Sequence, residues 1–242
     1  MKIDWASMWQ NISSGFRKEK NYKTTELSED RSFKTAFEPA FLGTISQGVE
    51  KFKYRGVGCG KNPLDFALYT KLIWELKPKT VIEIGTNKGG GALWIADLLT
   101  TYGLDTKLIT VDKFDRNEVA DNRIIFLKGD AHHLELTFSA QYMSSLPKPM
   151  LVIEDSAHSY SSTIAAISFF NTYLSAGDVL IVEDGVLDDS GLSAAYFGGP
   201  NRAVAEFLKN TSNKYRIMTE YCDFFGQNAT GNPNGYLERV SN

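Results

Sequence analysis

Cysteine is scarce, with Cys59 and Cys222 the two in 242 residues. Two thiols build no disulfide framework, so an ordinary core must hold the chain together. A reducing, cytoplasmic setting is expected, with one bridge left open. Long apolar runs are missing too. No stretch reaches the ~18 apolar residues of a membrane helix, and MKIDWASMWQ lacks the basic-then-apolar pattern of a signal peptide. The sequons at Asn11, Asn210 and Asn228 are therefore expected to be chance. Positive charge is not in excess: Lys plus Arg total 26, Asp plus Glu 29, for a net charge of -3. That balance excludes nucleic-acid binding by bulk charge. Histidine is rare, at 3 residues, and none stands at zinc spacing from a cysteine. No GxxxxGK[ST] occurs, which removes a Walker A loop.

What remains is ordinary globular composition, 43% hydrophobic and 23% charged. The length fits one large domain with an extension. Residues 1–55 are polar and broken up and read as that extension. Trp5, Met8, Trp9 and Ile12 stand at helical spacing, and residues 17–35 are rich in charge. Trp5, Trp9, Phe16, Phe33, Phe37 and Phe41 would either cover a substrate as a lid or pack on a second copy of the chain. A homo-oligomer is thus one of two roles left open for this segment. Gly56, Gly58 and Gly60 form a glycine-rich turn. Asn62-Pro63 opens a helix through Leu76, because proline suits a first helical turn.

From residue 80 the pattern becomes regular. Strands are predicted at 80–85, 108–112, 124–129, 150–155 and 179–184, with helices at 91–101, 161–174 and 201–209. Continuous apolar strands alternating with helices signal an α/β fold with a mostly parallel sheet covered on both faces. Runs at 215–221 and 235–240, with no long helix between them, are expected to form an antiparallel hairpin at the sheet edge. The domain is therefore placed at residues 56–242.

In such a doubly wound sheet, ligands bind beyond the carboxyl ends of the strands. Acidic residues gather there: Glu83 in the first strand, Asp112 ending the second, Asp130 after the third, Asp155 ending the fourth, Glu183-Asp184 ending the fifth. The first strand runs into V-I-E-I-G-T-N-K-G-G-G, residues 81–91. Gly85 permits a tight turn, and Gly89 and Gly90 let the backbone approach a ligand. Asn87 stands where GxGxxG needs its second glycine, which weakens a dinucleotide reading. Asp112 is placed to accept hydrogen bonds from ribose hydroxyls, and Asp130 to meet an adenine amino group. Asp155, Glu183 and Asp184 would converge at adjacent strand ends. Three such carboxylates repel one another unless a cation neutralises them, and an all-oxygen set favours Mg²⁺. His158, three residues past Asp155, falls at the pocket mouth and titrates where a general base should. His132 and His133 read as pocket wall or surface.

Taken in order, E-I-G-T-x-x-G-G, I-E-D-S-x-H, I-V-E-D-G, G-G-P-x-x-A-V-x-x-F-L and N-P-x-G-Y-L-x-R-V resemble the cephalosporin hydroxylase / rhamnosyl O-methyltransferase family. They are also similar to metal-dependent macrolide sugar O-methyltransferases. The resemblance covers roughly residues 60–240. It implies a Rossmann-like class I S-adenosylmethionine-dependent methyltransferase fold, with S-adenosylmethionine and Mg²⁺ as cofactors. It implies that Glu83, Gly85 and Gly89 hold the methionine part, Asp112 the ribose and Asp130 the adenine side. Thr86, Gly90 and Ala131 complete that cofactor-binding set. Asp155, Glu183 and Asp184 match the magnesium ligands and His158 the base. The implied reaction is O-methylation of a hydroxyl on a sugar or other small natural product. Three competitors stand beside it. A nicotinamide-dependent oxidoreductase is disfavoured by the missing GxGxxG. A non-catalytic adenosylmethionine-binding pathway protein is disfavoured by the intact acidic set. A metal-dependent hydrolase would not need the glycine loop with Asp112.

Overall fold

The computed structural model describes residues 31–211 and 213–241. The helix expected around Trp5 to Ile12, and most of the charge-rich stretch, lie outside the described residues. The tail of that stretch is fastened to the C-terminal part of the chain. Arg31 Nε donates to Asn234 Oδ1 at 2.6 Å, Arg31 Nη2 to Asp223 Oδ1 at 2.5 Å, and Thr35 Oγ1 to the Asn228 carbonyl at 2.7 Å.

Helix α1 (Pro39–Lys51) follows, with proline in its first turn. Strands β1 (Lys53–Tyr54) and β2 (Val57–Gly58) pair as a hairpin. Its two turn residues, Arg55 and Gly56, have φ of 49° and 87°, the left-handed pair a two-residue hairpin requires. The glycine-rich turn read from the sequence is therefore half of a small antiparallel ribbon. Helix α2 (Pro63–Leu76) has the predicted bounds, and Asn62 Oδ1 caps it by accepting from Leu64 N at 3.0 Å.

The remaining elements are β3 (Thr80–Ile84), α3 (Gly90–Thr101), β4 (Lys107–Asp112), β5 (Ile124–Lys128), α4 (Ala140–Ser145), β6 (Met150–Glu154), α5 (Tyr160–Asn171), β7 (Val179–Val182), α6 (Gly199–Asn210), β8 (Tyr215–Ile217), α7 (Thr219–Cys222) and β9 (Tyr236–Arg239). The sheet order is β5-β4-β3-β6-β7-β9-β8. Neighbours from β5 through β7 run parallel, while β9 is antiparallel to both β7 and β8. The edge hairpin thus forms, but residues 218–221 are not strand. Met218 N donates to the Tyr236 carbonyl at 2.8 Å, and the chain then coils so that Tyr221 stacks on Tyr236 with ring centroids 5.8 Å apart.

Both sheet faces are covered, which explains the unbroken apolar runs. Ile82, Val152 and Leu180 pack with Phe170 and Phe207 on one face. Val81, Leu151 and Ile181 pack with Leu72 and Ile95 on the other. Strand order reverses between β3 and β6, so a crevice opens beyond their carboxyl ends. No helix among the described residues is long and apolar enough to cross a membrane.

Candidate functional site

A cavity of about 560 Å³ occupies that crevice. Its lining includes Glu83, Gly85, Thr86, Asp112, Asp130, Ala131, Asp155, His158 and Asp184. Gly89, Gly90 and Glu183 are absent from that lining. Gly90 shows why the loop is glycine-rich: a Cβ there would lie 2.2 Å from the Gly58 carbonyl oxygen. Gly85 is tighter still. Its φ is 114°, and a Cβ would lie 1.9 Å from the Asp155 carbonyl oxygen, so only glycine lets β3 and β6 end this close together.

At one end of the cavity the polar groups are organised by main-chain donors. Asp112 accepts from Asn87 N at 2.7 Å and from Phe114 N at 2.8 Å. Asn87 adopts a left-handed φ of 46° to make that bond. Asp130 accepts from His132 N at 3.0 Å and pairs with Lys113 Nζ at 2.8 Å. The lysine bond, more than the main-chain one, holds the Asp130 carboxyl far below the usual carboxylate range. His132 lines the cavity, while His133 points into solvent beside Glu135.

The other end is a concentration of charge. Glu83 is 2% exposed and stands next to the last residue of an apolar strand. Thr110 Oγ1 donates to its Oε2 at 2.7 Å, and Thr86 Oγ1 lies 2.6 Å from Thr110 Oγ1. Burial pushes the Glu83 carboxyl up to about 7, against the pull of Lys61 and Thr110. The strand ladders continue just past their ends: Asp155 N donates to the Ile84 carbonyl and Glu183 N to the Glu154 carbonyl. That continuation draws the acidic ends of β6 and β7 to the same level.

Asp155, His158 and Asp184 each present one atom, and those atoms lie within 4.8 Å of one another. His158 Nε2 stands 3.2 Å from Asp184 Oδ2. Both residues hold left-handed backbones, φ 54° and 60°, an uncommon conformation for either that concentrates at functional sites. His158 Nδ1 is buried without a hydrogen-bond partner. Burial disfavours the imidazolium, but Asp184, Asp155, Glu154 and Glu183 together outweigh it and raise the His158 pKa above its ordinary value. Asp155 and Asp184 are each pushed up, first by burial.

Glu183 faces a different direction from Asp184. Its Oε1 accepts from Lys61 Nζ at 2.6 Å and from the Tyr69 hydroxyl. The same lysine reaches Asp155 Oδ2 at 2.6 Å. Asp155 is therefore shared between Lys61 and the cluster with His158 and Asp184. The hard oxygens of Asp155 and Asp184 suit a divalent cation such as Mg²⁺, with Glu183 one residue away behind Lys61.

Lys61, Tyr69 and Asp65 also belong to this region, though no motif in the sequence marks them. Asp65 is buried on α2, where it accepts from Gly231 N at 3.0 Å and from the Thr230 hydroxyl. It ties the start of α2 to the N-P-x-G-Y segment. Beside His158, the Tyr196 ring lies 6.3 Å away, and Phe197 is 73% exposed with a left-handed φ of 57°.

The family model for "Rhamnosyl O-methyltransferase/CmcI" matches residues 46–240. The rhamnosyl O-methyltransferase of Mycobacterium bovis (strain BCG / Pasteur 1173P2) is 29% identical over 194 residues, covering 78% of each chain. That of Mycobacterium leprae (strain TN) is 27% identical over 190 residues, covering 77% of this chain and 82% of the relative. A solved CmcI structure described as holding Mg and SAM superposes with a TM-score of 0.62 at 25% identity, over 79% of this chain and 78% of that one. A CmcI apo-structure gives 0.63, also at 25% identity, over 80% and 78%.

Proposed function

The chain belongs to the rhamnosyl O-methyltransferase/CmcI family, and from that premise we propose an S-adenosylmethionine-dependent, Mg²⁺-dependent O-methyltransferase acting on a hydroxyl of a sugar or other small natural product. Its fold is the Rossmann-like class I methyltransferase fold, as in CmcI. One observation carries the reading. A single cavity runs from the glycine loop and Asp112 to Asp155, His158 and Asp184.

Glu83, Gly85, Thr86, Asp112, Asp130 and Ala131 would hold the cofactor, with Gly89 and Gly90 behind them shaping the loop. Asp155 and Asp184 would hold the metal, and Glu183 would join them by turning away from Lys61 and Tyr69. When bound, S-adenosylmethionine supplies a methyl group already activated on sulfur, and Mg²⁺ supplies a Lewis acid that acidifies an acceptor hydroxyl. The protein's own task is positioning and proton removal. His158, at the cavity edge beside Asp184, takes the hydroxyl proton, and the surrounding carboxylates stabilise the resulting imidazolium. Tyr196, whose ring lies 6.3 Å from that of His158, and the neighbouring Phe197 would form a wall on the acceptor side, beyond the lining of the cavity itself.

The same proposal assigns residues 56–242 to methyl transfer and residues 1–55 to a lid or oligomer arm. Exposed Phe41, Phe224 and Phe225 favour the oligomer. Two buried free thiols, Cys59 and Cys222, favour a reducing, cytoplasmic setting. The test is transfer of a labelled methyl group to deoxysugar-bearing acceptors, with and without EDTA. Metal-dependent labelling is expected, and metal-independent labelling or none across the acceptors would count against the reading.

A further inference from the structure

Lys61 lies outside every motif, yet it is the most enclosed cation near the site. It is 4% exposed, and its Nζ stands 2.6 Å from Asp155 Oδ2, 2.6 Å from Glu183 Oε1 and 3.8 Å from Glu83 Oε1. Those carboxylates come from three different strand ends, on β3, β6 and β7 or the residues just past them. Lysine is almost never buried this fully unless it is paired. Its own position is fixed by the main chain, since Lys61 N donates to the Cys59 carbonyl at 2.8 Å. The stem is confined as well: a Cβ added at Gly91 would lie 3.3 Å from Lys61 Cε.

Asp155 links this ammonium to the group that can take a cation. One oxygen is on Lys61, and the residue also belongs to the set with His158 and Asp184. Buried carboxylates so close together repel one another unless positive charge lies between them. We propose that Lys61 is the positioning residue of the cation site. Its ammonium supplies part of a divalent cation's charge in the metal-free protein, keeps Asp155 and Glu183 assembled, and limits how tightly a divalent cation is held beside it. The inference rests on the metal-site reading above.

Two consequences follow from one electrostatic cause. Removing the ammonium leaves the carboxylates unbalanced, so the metal-free fold weakens. It also removes a positive charge next to the bound cation, so cation affinity rises. Lys61→Met is therefore expected to lower the melting temperature in EDTA and to bind Mn²⁺ at least about tenfold more tightly. Mn²⁺ should raise its melting temperature more than that of the wild type, because a tighter ligand stabilises more at equal concentration. Mn²⁺ binding is read by electron paramagnetic resonance of the free ion, independently of methyl transfer.

The Lys61→Met/Glu183→Gln double variant removes one charge of each sign. It should recover metal-free stability relative to Lys61→Met. Failure of both variants to fold even with Mn²⁺ would overturn the proposal, because charge balance would not be what Lys61 provides. Mn²⁺ affinity that is unchanged or weaker in Lys61→Met would overturn it alone, leaving a plain structural ion pair. Absence of Mn²⁺ binding in wild type and variant alike would overturn the metal-site reading and this proposal with it.

Discussion

The two ends of the cavity hold their carboxylates in different ways. At the Asp112 end, main-chain N–H groups of Asn87 and Phe114 do the holding, and at Asp130 the N–H of His132 and the Lys113 ammonium share it. Around Asp155, four acidic residues (Glu83, Asp155, Glu183 and Asp184) share Lys61 and His158. Backbone donors are fixed by the fold and need no reorganisation, so the first end would receive a polar ligand without rearrangement. The second end is short of positive charge. It should answer to metal and to pH, while the first should not.

The largest expected effect separates chemistry from binding. His158→Ala should cut turnover by about 10²–10⁴, the usual contribution of a general base, while calorimetric S-adenosylmethionine affinity stays near that of the wild type. In the metal-free protein, the His158 ring should titrate above the ordinary ~6.5 of histidine, because the surrounding carboxylates favour the imidazolium; ring signals followed by NMR against pH check it. A ring midpoint below that value in the metal-free protein would contradict this picture of the charged end.

Asp155→Asn tests the charged end next. Turnover should lose its Mg²⁺ dependence, and added Mg²⁺ should no longer raise the melting temperature. Asp112→Ala tests the other end. It should weaken S-adenosylmethionine binding by about 10- to 100-fold, from the loss of one or two charge-assisted hydrogen bonds. The melting response to Mg²⁺ should survive. If Asp112→Ala abolished the metal response, the two ends would not be separable.

The smallest effect concerns Asp65, which lies under the site. Burial raises its pKa to about 7, against the bonds from Thr230 and Gly231. The folded state therefore binds this proton more tightly than the unfolded chain, whose value is ~3.9. Its contribution to stability is full below about pH 4 and is lost as pH rises through 7. Asp65→Asn should flatten that part of the stability profile by a modest amount, measured by denaturant midpoints between pH 4 and 8.

The sheet was legible because its strands are buried on both faces and so read as unbroken apolar runs. The acids at their ends stood out against those runs. Glu83 is the clearest case, a carboxylate inside T-V-I-E-I. Lys61 was not legible, since a lysine before Asn62-Pro63 looks like any charged residue at a helix entrance. Its partners are 94 and 122 positions away. Tyr69 was hidden for a similar reason: on α2 it matches the apolar stripe, and its hydroxyl declares itself only against Glu183. Residues 218–221 misled because no glycine or proline ends the run that begins at Tyr215. The stacking of Tyr221 on Tyr236 decides the local shape instead. The anchoring of Arg31 by Asp223 and Asn234 is another contact between distant segments that no local pattern announces.

On this account the cavity binds a sulfonium nucleoside cofactor. Calorimetric titration of the purified protein with S-adenosylmethionine, and with NAD⁺ as control, each with and without Mg²⁺, tests it most directly. S-adenosylmethionine should bind in the micromolar range and NAD⁺ should not. Binding of NAD⁺ instead, or of neither, would contradict the cofactor assignment and leave the acidic cluster as a metal site serving a different chemistry.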